Sequence, residues 1–271
     1  MQLDKITKVA IETIRDCNGK CRICNYRGWT ILNPLKMQYH TFYGIIDQIT
    51  HLPKLEIVCP YNHNEPLLDG DIFGKIKYIR EQLPSVRIEL STNGILLTKR
   101  NIDTYCALVD DRWISFHGVD ELSYEYIMGI PWSNGLKLRK MIKDRPYVRF
   151  AISIGLTSRY TEEEVREFWS EYENVKLMIF WPRDRCGGIK PDEVKTFCNP
   201  PTPKFDCWRF GMFLVYDTYG NLVPCSNDLF SRHIYADSTM PLKEIMKRRD
   251  KFRSINREGE ETICWRCEDT N

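Results

Sequence analysis

The sequence predicts an α/β fold in which a parallel sheet curves into a partial barrel of six strand–helix units, followed by a small α+β module. Short runs rich in β-branched and aromatic residues alternate with longer helix-like stretches as far as Phe180. This alternation is typical of parallel sheets with helices on the outside. A proline-rich stretch then precedes a hairpin pattern and a last helix.

The alternating part contains six predicted strands and five predicted helices. The strands cover residues 9–14, 55–58, 86–90, 113–116, 148–154 and 175–180. The helices cover residues 41–50, 71–83, 99–108, 136–143 and 161–172. The last helix opens with Thr161-Glu-Glu-Glu164, which is a capping-box pattern. In folds of this class the chemistry gathers at the carboxyl ends of the strands.

The domain limits follow from a change in composition near Lys190. We predict a barrel over residues 1–190, a connector over 191–205 and a second module over 206–271. Four prolines keep the connector from continuing a helix: Pro191, Pro200, Pro201 and Pro203. The second module has a predicted hairpin with its turn at residues 217–221 and a helix over 242–253.

Composition narrows the class of protein. The 271 residues are 42% apolar and 12% aromatic, which is enough for a large core. A net charge of +2 offers no broad basic surface, so we expect no nucleic-acid partner. We find no apolar run near the ~18 residues of a membrane span and no signal-peptide core, and so expect a cytoplasmic protein without a membrane partner. Eleven cysteines in a reducing compartment indicate metal binding or catalysis.

Three cysteines form a tight group directly after the first predicted strand. Cys17, Cys21 and Cys24 have the spacing C-x3-C-x2-C. A structural zinc ion is coordinated by four protein ligands, whereas an iron–sulfur cube can be bound by three cysteines, which leaves one iron open for chemistry. The alternative is a zinc knuckle that takes a fourth ligand such as His40 or His63.

This spacing resembles the signature of the radical S-adenosylmethionine (radical SAM) enzymes, and the resemblance extends from about Lys8 to Cys267. It implies a radical SAM barrel with an oxygen-sensitive 4Fe-4S cluster whose free iron binds S-adenosylmethionine. One electron then splits S-adenosylmethionine into methionine and a 5′-deoxyadenosyl radical. The resemblance also implies an electron donor, either a reductase or a flavodoxin or ferredoxin.

Further resemblance lies at the other strand ends. Asn64-Glu65-Pro66 follows the second strand and is similar to the family's Gly-Glu-Pro, which makes Glu65 the expected ligand of the S-adenosylmethionine ammonium. Ser91-Thr-Asn-Gly94 after the third strand is also common in the family. The expected cofactor-binding residues are Ile23, Asn64, Glu65, Ser91, Asn93 and Ser153. Without that context, Asn-Glu-Pro is an ordinary turn and Ser153 is satisfied by its own backbone.

The second module resembles the twitch domain, the short form of the SPASM extension of radical SAM enzymes. Cys207, Gly220 and Cys225 have the spacing C-x12-G-x4-C, and Cys264 and Cys267 form a C-x2-C pair. The resemblance implies that these four thiolates hold one auxiliary 4Fe-4S cluster. Taken alone, four cysteines fit a zinc ribbon equally well.

Substrate-binding candidates follow the sixth strand, and His117 follows the fourth. The run Arg183-Asp-Arg-Cys186-Gly-Gly-Ile resembles the Arg-Gly-Gly-Ile stretch of the 2-deoxy-scyllo-inosamine dehydrogenase type, whose arginine contacts the substrate. Here Cys186 takes that place and Arg185 precedes it. We therefore interpret Cys186, Arg185 and His117 as catalytic candidates, with Arg183 and Asp184 beside them; salt bridges are the simpler alternative.

Two reactions follow from these residues. In a dehydrogenase, a substrate radical passes an electron to the auxiliary cluster. In an epimerase, Cys186 donates a hydrogen atom and no net oxidation occurs. We expect a small polar substrate, of carbohydrate or aminocyclitol type, with oxidation ahead of epimerisation. A peptide or nucleotide substrate and a non-catalytic metal-binding scaffold are the remaining alternatives.

Overall fold

A computed structural model describes residues 3–24, 35–182, 207–228 and 230–257. The strands are β1 Lys8–Ile11, β2 Ile14–Arg15, β3 Leu35–Lys36, β4 Ile57–Cys59, β5 Arg87–Thr92, β6 Asp111–Ser115, β7 Phe150–Gly155, β8 Val175–Phe180, β9 Phe213–Tyr216, β10 Asn221–Val223 and β11 Ala236–Asp237. The α-helices are α1 Tyr39–Ile49, α2 Ile72–Gln82, α3 Ile102–Leu108, α4 Glu121–Met128, α5 Trp132–Lys143, α6 Glu162–Phe168, α7 Trp208–Met212 and α8 Leu242–Arg257. Short 3-10 helices cover Leu3–Lys5 and Pro66–Leu68.

A nine-stranded sheet organises the chain. Its strand order is β11-β10-β9-β1-β4-β5-β6-β7-β8. Six of its strands, β1 and β4 to β8, pair in parallel with one another, and helices lie between most of them along the chain. The predicted α/β class with a large parallel sheet is confirmed. Its curvature into a barrel and the twitch identity of the second module stay predictions.

Side-chain alternation gives the sheet two different faces. In β7, Phe150, Ile152 and Ile154 are buried, while Ala151 and Ser153 between them are half-buried. Buried apolar residues of α1, such as Phe42, contribute to the same continuous apolar core. Because successive side chains of a strand point to opposite faces, one face of the sheet is committed to that core. The other face is left for polar groups.

The first predicted strand, residues 9–14, is split in the structure. β1 ends at Ile11, and β2 forms a separate two-stranded sheet with β3. At the break, the Glu12 amide donates to the carbonyl of Tyr216, and the Thr13 carbonyl accepts from the Met37 amide, both at 2.9 Å. The backbone stays extended but changes partners, which a local pattern does not reveal.

Capping boxes fix the first residues of two helices, α4 and α6. Thr161 and Glu164 form the predicted reciprocal box at the start of α6, with bonds of 3.2 and 2.7 Å. The sequence pattern missed α4, which opens with a box between Asp120 and Ser123 and ends at Gly129 in the left-handed region, at φ +62°. The carboxyl end of α4 matters because it contacts the first cysteine loop.

The second module continues the main sheet. β9 pairs in parallel with β1, from Lys8 opposite Phe213 to Ile11 opposite Tyr216. The predicted hairpin turn is present, and Asp217 Oδ1 accepts the amides of Tyr219 and Asn221 at 2.9 and 2.8 Å. The domain limits at 190 and 205 fall outside the described residues and stay predictions. Within the described ranges no helix is long and apolar enough to cross a membrane.

Candidate active site

The first cysteine loop follows β2 and rests on the end of α4. The Lys20 amide donates to the Met128 carbonyl at 3.2 Å, and the Arg22 amide donates to the Ile127 carbonyl at 2.7 Å. A helix leaves its last carbonyls without partners inside the helix. The loop amides use these carbonyls, so the loop that carries Cys21 is held by main-chain bonds.

Two sulfurs of this loop converge around Gly19. The Gly19 amide donates to Cys17 Sγ at 3.4 Å. A Cβ at Gly19 would lie 3.6 Å from Cys21 Sγ and 3.7 Å from Cys17 Sγ. Burial raises the pKa of Cys17 to about 12, despite the Gly19 bond, and also raises the pKa of Cys21, with a further contribution from Cys24. Crowded, desolvated thiols of this kind favour a cationic group that displaces their protons.

Glu65 is a buried carboxylate with a fixed orientation. It is 2% exposed. Its oxygens accept from Thr92 Oγ1 at 2.6 Å, from the Asn93 amide at 2.7 Å and from the Leu67 amide at 3.1 Å. Burial raises its pKa to about 7, although these donors oppose the shift. A cationic partner would restore the charge that burial disfavours.

The turn after β5 connects Glu65 with the cysteine loop. Asn93 Nδ2 donates to Asn18 Oδ1 at 2.7 Å and lies 4.0 Å from Cys17 Sγ. Gly94 has φ +74°, and a Cβ there would lie 2.6 Å from a Leu138 methyl carbon. The Glu65 amide also donates to the Asp16 carbonyl at 2.8 Å. Glu65 and Cys17 precede Asn93 by 28 and 76 residues in the sequence. They therefore meet Asn93 at the predicted edge of the sheet.

Asn64 carries an unused donor beside Glu65. Its Oδ1 accepts the Asn62 amide at 2.9 Å. Its buried Nδ2 has no hydrogen-bond partner within the described part of the chain. A buried amide without a partner costs about 1–3 kcal/mol, so this group is suited to an acceptor supplied by a ligand.

The remaining predicted residues of the first module lie at the ends of β6 and β7. Ile23 is buried, and its Cδ1 would lie only 2.7 Å from a Cβ at Gly155. His117 is buried and its Nδ1 accepts the Gly155 amide at 2.9 Å. That bond leaves Nε2 as the hydrogen-bearing nitrogen of a neutral ring. Ser153 is half-buried and pairs with Ser115. Ser91 is half-buried on β5.

A polar cluster between the strands was missed by sequence reasoning. Lys8 Nζ lies 2.7 Å from Glu89 Oε2, and Tyr61 Oη donates to Glu89 Oε1 at 2.7 Å. Cys59 Sγ contacts the same Oε1 at 3.5 Å. Burial raises the pKa of Cys59 and of Tyr61. The signal in the sequence was a charged residue inside each of two apolar strands, Lys8 in β1 and Glu89 in β5.

Several predicted site residues lie outside the described residues: Arg183, Asp184, Arg185, Cys186, Cys264 and Cys267. Of the second cysteine group, Cys207 is the N-cap of α7, and Cys225 follows β10. The Asn227 amide donates to Cys225 Sγ at 3.4 Å. The cysteine site of the second module is therefore described in two of its four positions.

The zinc alternative requires a histidine near the first loop. His40 is exposed in the first turn of α1. The ring nitrogens of His63 are engaged with Asn62 and with the Ser226 carbonyl. In the described ranges, no three or more His, Cys, Asp or Glu side chains converge tightly enough to hold one metal ion. The cysteines of an iron–sulfur cube each bind a different iron, so they need not converge on one metal ion. The fit of Cys17 and Cys21 to a cluster therefore rests on the burial of both thiols and on the Gly19 amide between them.

Comparison with known proteins identifies the fold. No family model and no curated protein sequence matches the chain. Solved structures do match. BtrN in complex with AdoMet and 2-DOIA is 14% identical, with a TM-score of 0.66 over 97% of this chain and 93% of BtrN. The protein anSMEcpe with bound AdoMet is 14% identical, with a TM-score of 0.67 over 97% and 90% of the two chains. Streptococcus suis SuiB bound to precursor peptide SuiA is 14% identical, with a TM-score of 0.69 over 92% and 67%.

The chain shares the fold of BtrN, anSMEcpe and SuiB. In that fold the first cysteine loop and Glu65 come from separate parts of the chain and meet at one edge of the sheet, as their positions after successive strands predict. At identities of 14% the likeness concerns the fold. The activity is inferred from the residues of this chain.

Proposed function

We propose that the protein is a radical SAM oxidoreductase acting on a small polar substrate of carbohydrate or aminocyclitol type. It reductively cleaves S-adenosylmethionine, removes hydrogen from a substrate C–H and oxidises the substrate with an auxiliary 4Fe-4S cluster as electron acceptor. The observation that carries the proposal is Glu65, a buried carboxylate that is oriented by Thr92 and Asn93 and joined through Asn93 to the cysteine loop.

The residues of the first site have separate tasks. Cys17, Cys21 and Cys24 would hold a 4Fe-4S cluster, which with bound S-adenosylmethionine supplies a 5′-deoxyadenosyl radical after one-electron reduction. Glu65 would bind the ammonium group, because its fixed, desolvated carboxylate accepts from one hydroxyl and two amides and has no cationic partner among the described residues. Asn64 Nδ2 would donate to the carboxylate of the same ligand.

Side chains around these groups complete the ligand contacts. Ile23 would contact adenine through its main chain, as the resemblance implies. Ser153 would reach the ribose or carboxylate from the half-buried face of β7. Ser91 and Asn93 would line the same pocket from the end of β5. The burial of Ile23 and Glu65 also keeps bulk water from the ligand.

The polar cluster between the strands supports a polar substrate. Lys8, Glu89 and Tyr61 bring together a cation, an anion and a hydroxyl from three parts of the chain. In the register of the sheet, Ser115 lies beside Ser153. Such a surface offers donors and acceptors to hydroxyl and amino groups. His117, Arg185 and Cys186 stay candidates for substrate contact.

In the proposed oxidation, the substrate carbon loses a hydrogen atom and its hydroxyl loses a proton. One electron then leaves for the auxiliary cluster, so that a ketone forms. Cys207, Cys225, Cys264 and Cys267 would hold that cluster. An external donor, a reductase or a flavodoxin or ferredoxin, would supply the electron that starts the cleavage of S-adenosylmethionine. If Cys186 instead donates a hydrogen atom to the opposite face, the enzyme is an epimerase and no net oxidation occurs.

A peptide substrate is the second candidate. Two solved structures of similar fold contain peptides, SuiB bound to precursor peptide SuiA and anSMEcpe with AdoMet and the Cp18Cys peptide. With a peptide substrate, the 5′-deoxyadenosyl radical would remove hydrogen from a side-chain carbon and not from a ring carbon. Competition by a polar sugar or aminocyclitol library against a peptide library, read as substrate-dependent 5′-deoxyadenosine release, separates the two classes.

The test begins with anaerobic reconstitution. Iron and sulfide are measured in the wild type and in the Cys17/Cys21/Cys24→Ala variant, together with dithionite-driven 5′-deoxyadenosine release. About eight irons should fall to about four, with cleavage lost. Cys24→Ala should also abolish cleavage, whereas Cys186→Ala should retain it. Zinc in place of iron at the first site, with no cleavage by the wild type, would contradict the proposal and support the metal-binding scaffold.

A further inference from the structure

His63 reaches from the turn before Glu65 to the loop that carries Cys225. Only 3% of its side chain is exposed. Its Nε2 bonds to the carbonyl of Ser226, 163 residues further along the chain, and its Nδ1 lies 3.1 Å from Asn62 Nδ2. An amide nitrogen can only donate, so Nδ1 is the acceptor and Nε2 carries the hydrogen. His63 is thus a directed donor to one main-chain carbonyl.

That carbonyl belongs to the peptide unit that donates to Cys225. The carbonyl of Ser226 and the amide of Asn227 share one planar trans unit, in which they point in opposite directions. The Asn227 amide lies 3.4 Å from Cys225 Sγ. His63 therefore grips one side of the unit while the other side donates to sulfur. Rotation of the unit would break both bonds together.

A second buried network ties the same region to the first module. Glu12 is 1% exposed, and its Oε2 accepts from Arg15 at 2.8 Å and from Thr218 Oγ1 at 2.7 Å. Arg15 also donates to Ser231 Oγ at 3.1 Å. Glu12 Oε1 has no hydrogen-bond partner among the described residues and lies 3.9 Å from His63 Nδ1. His63 thereby lies beside a largely buried hydrogen-bond network.

We infer that His63 is a positioning residue for the auxiliary cluster: by holding the Ser226–Asn227 peptide it keeps an N–H donor on the Cys225 thiolate and raises the cluster's reduction potential. The inference rests on the proposed function, which places Cys225 among the cluster ligands. An N–H donor stabilises negative charge on sulfur, and the reduced cluster carries more of that charge. The donor therefore makes the cluster a better acceptor for the substrate's electron.

The experiment isolates the second cluster in the full-length chain. The Cys17/Cys21/Cys24→Ala protein is reconstituted anaerobically, and its midpoint potential is measured by redox titration with EPR detection. His63→Ala is then added. We expect reduction to become about tenfold less favourable, which is a shift of about 59 mV to more negative potential for one electron. His63→Gln, which keeps a side-chain N–H, should shift the potential less. His40→Ala, at an exposed histidine on α1, is the control and should leave it unchanged.

The outcomes separate the inference from the proposed function. About four irons with an unchanged potential in His63→Ala would overturn the inference and leave the proposed function intact. A Cys17/Cys21/Cys24→Ala protein that holds zinc or no iron would overturn both the auxiliary cluster and the inference. If His63→Ala does not retain iron, His63→Gln decides: iron retained with a potential near that of the wild type supports the donor role, and loss of iron in His63→Gln as well contradicts it.

Discussion

The two cysteine loops share one local geometry but are held in different ways. In each, the amide two residues after a cysteine donates to its sulfur at 3.4 Å, Gly19 to Cys17 and Asn227 to Cys225. In the first loop the intervening Asn18 is gripped through its side chain by Asn93. In the second loop, His63 instead bonds to the main-chain carbonyl of the intervening residue, Ser226.

The difference concerns which module supplies the support. The first loop takes main-chain bonds from α4 and from Glu65, which belong to its own module. The second loop leans on His63 and Arg15, which come from the first module. The second loop therefore depends in part on the first module, although Asp228 also holds it from within its own module. The described contacts of the first loop come from the first module itself.

Arg15→Ala should break this dependence with the largest effect. Arg15 forms a pair with Glu12 at 2.8 Å, and both side chains are largely buried. Removing one partner of a buried pair leaves an uncompensated charge and costs about 3–5 kcal/mol. Urea unfolding of the metal-free protein measures the loss. Arg87→Ala, which removes an exposed pair with Asp111, is the matched control and should cost less than about 1 kcal/mol. Equal losses would show that the Glu12 network is not special.

Glu65→Gln should break the first site alone. The substitution keeps the size of the side chain but removes the charge that pairs with an ammonium group. We expect 5′-deoxyadenosine release to fall about a hundredfold, about 2.7 kcal/mol, the size of a charge-assisted hydrogen bond. Iron content should stay near that of the wild type. Glu56→Gln, at an exposed glutamate, is the control. Wild-type cleavage by Glu65→Gln would remove Glu65 from the ligand site.

Gly155→Ala should displace the first loop without reaching the second. The added Cβ would lie 2.7 Å from Ile23 Cδ1 and 2.9 Å from Pro182 Cγ. Overpacking of this kind costs about 1–3 kcal/mol, measured as a lower urea midpoint. Gly44→Ala in α1, where a Cβ meets nothing within 4 Å, should instead stabilise by about 0.5–1 kcal/mol. A neutral Gly155→Ala would show that the contact with Ile23 relaxes freely.

The pH profile sharpens the role of Glu65. Burial raises its pKa from 4.5 to about 7, so the carboxyl must lose a proton before it can pair with an ammonium group. S-adenosylmethionine affinity should fall about tenfold for each pH unit below about 7, and Glu65→Gln should remove that slope. The folded chain holds this proton more tightly than the unfolded chain. Stability of the metal-free protein should therefore fall as pH rises from about 4.5 to about 7. Titration calorimetry and unfolding across pH measure both, and parallel slopes in wild type and variant would contradict them.

Asn18→Ala should have the smallest effect. It removes the bond to Asn93 Nδ2 but leaves the Gly19 amide in place, because the loop backbone is held separately by Ile127 and Met128. One hydrogen bond is worth about 0.5–1.5 kcal/mol in unfolding free energy, and iron content should not change. Loss of the first cluster in this variant would mean that both loops depend equally on the contact to the residue between the cysteine and its amide donor, which is Asn18 in the first loop and Ser226 in the second.

Local patterns predicted the local part of the structure. β8 covers the predicted residues 175–180, and the Thr161 capping box is present as read. Helix α4 was missed because its box closes through Ser123 in place of the usual Glu or Gln, within only eight residues. Glu65 was found because Asn64-Glu65-Pro66, after the second predicted strand, resembles a family motif.

Long-range contacts account for what the sequence did not reveal. The pairing of β9 with β1 and the bond from His63 to Ser226 join residues more than 150 positions apart, and neither leaves a periodic signal. Thr92 was passed over beside Asn93, although its hydroxyl holds Glu65. The roles predicted for Arg185, Cys186, Cys264 and Cys267 stay predictions, since these residues lie outside the described ranges.

The parallel pairing of β9 with β1 also has a consequence during synthesis on the ribosome. The first strand of the sheet, Lys8–Ile11, waits for a partner that emerges about two hundred residues later. At 5–20 residues per second this delay is roughly 10–40 s, during which one edge of β1 stays open. An open, apolar strand edge is a template for pairing with other chains. Slow translation or truncation before Phe213 should therefore favour aggregation of the nascent chain over folding.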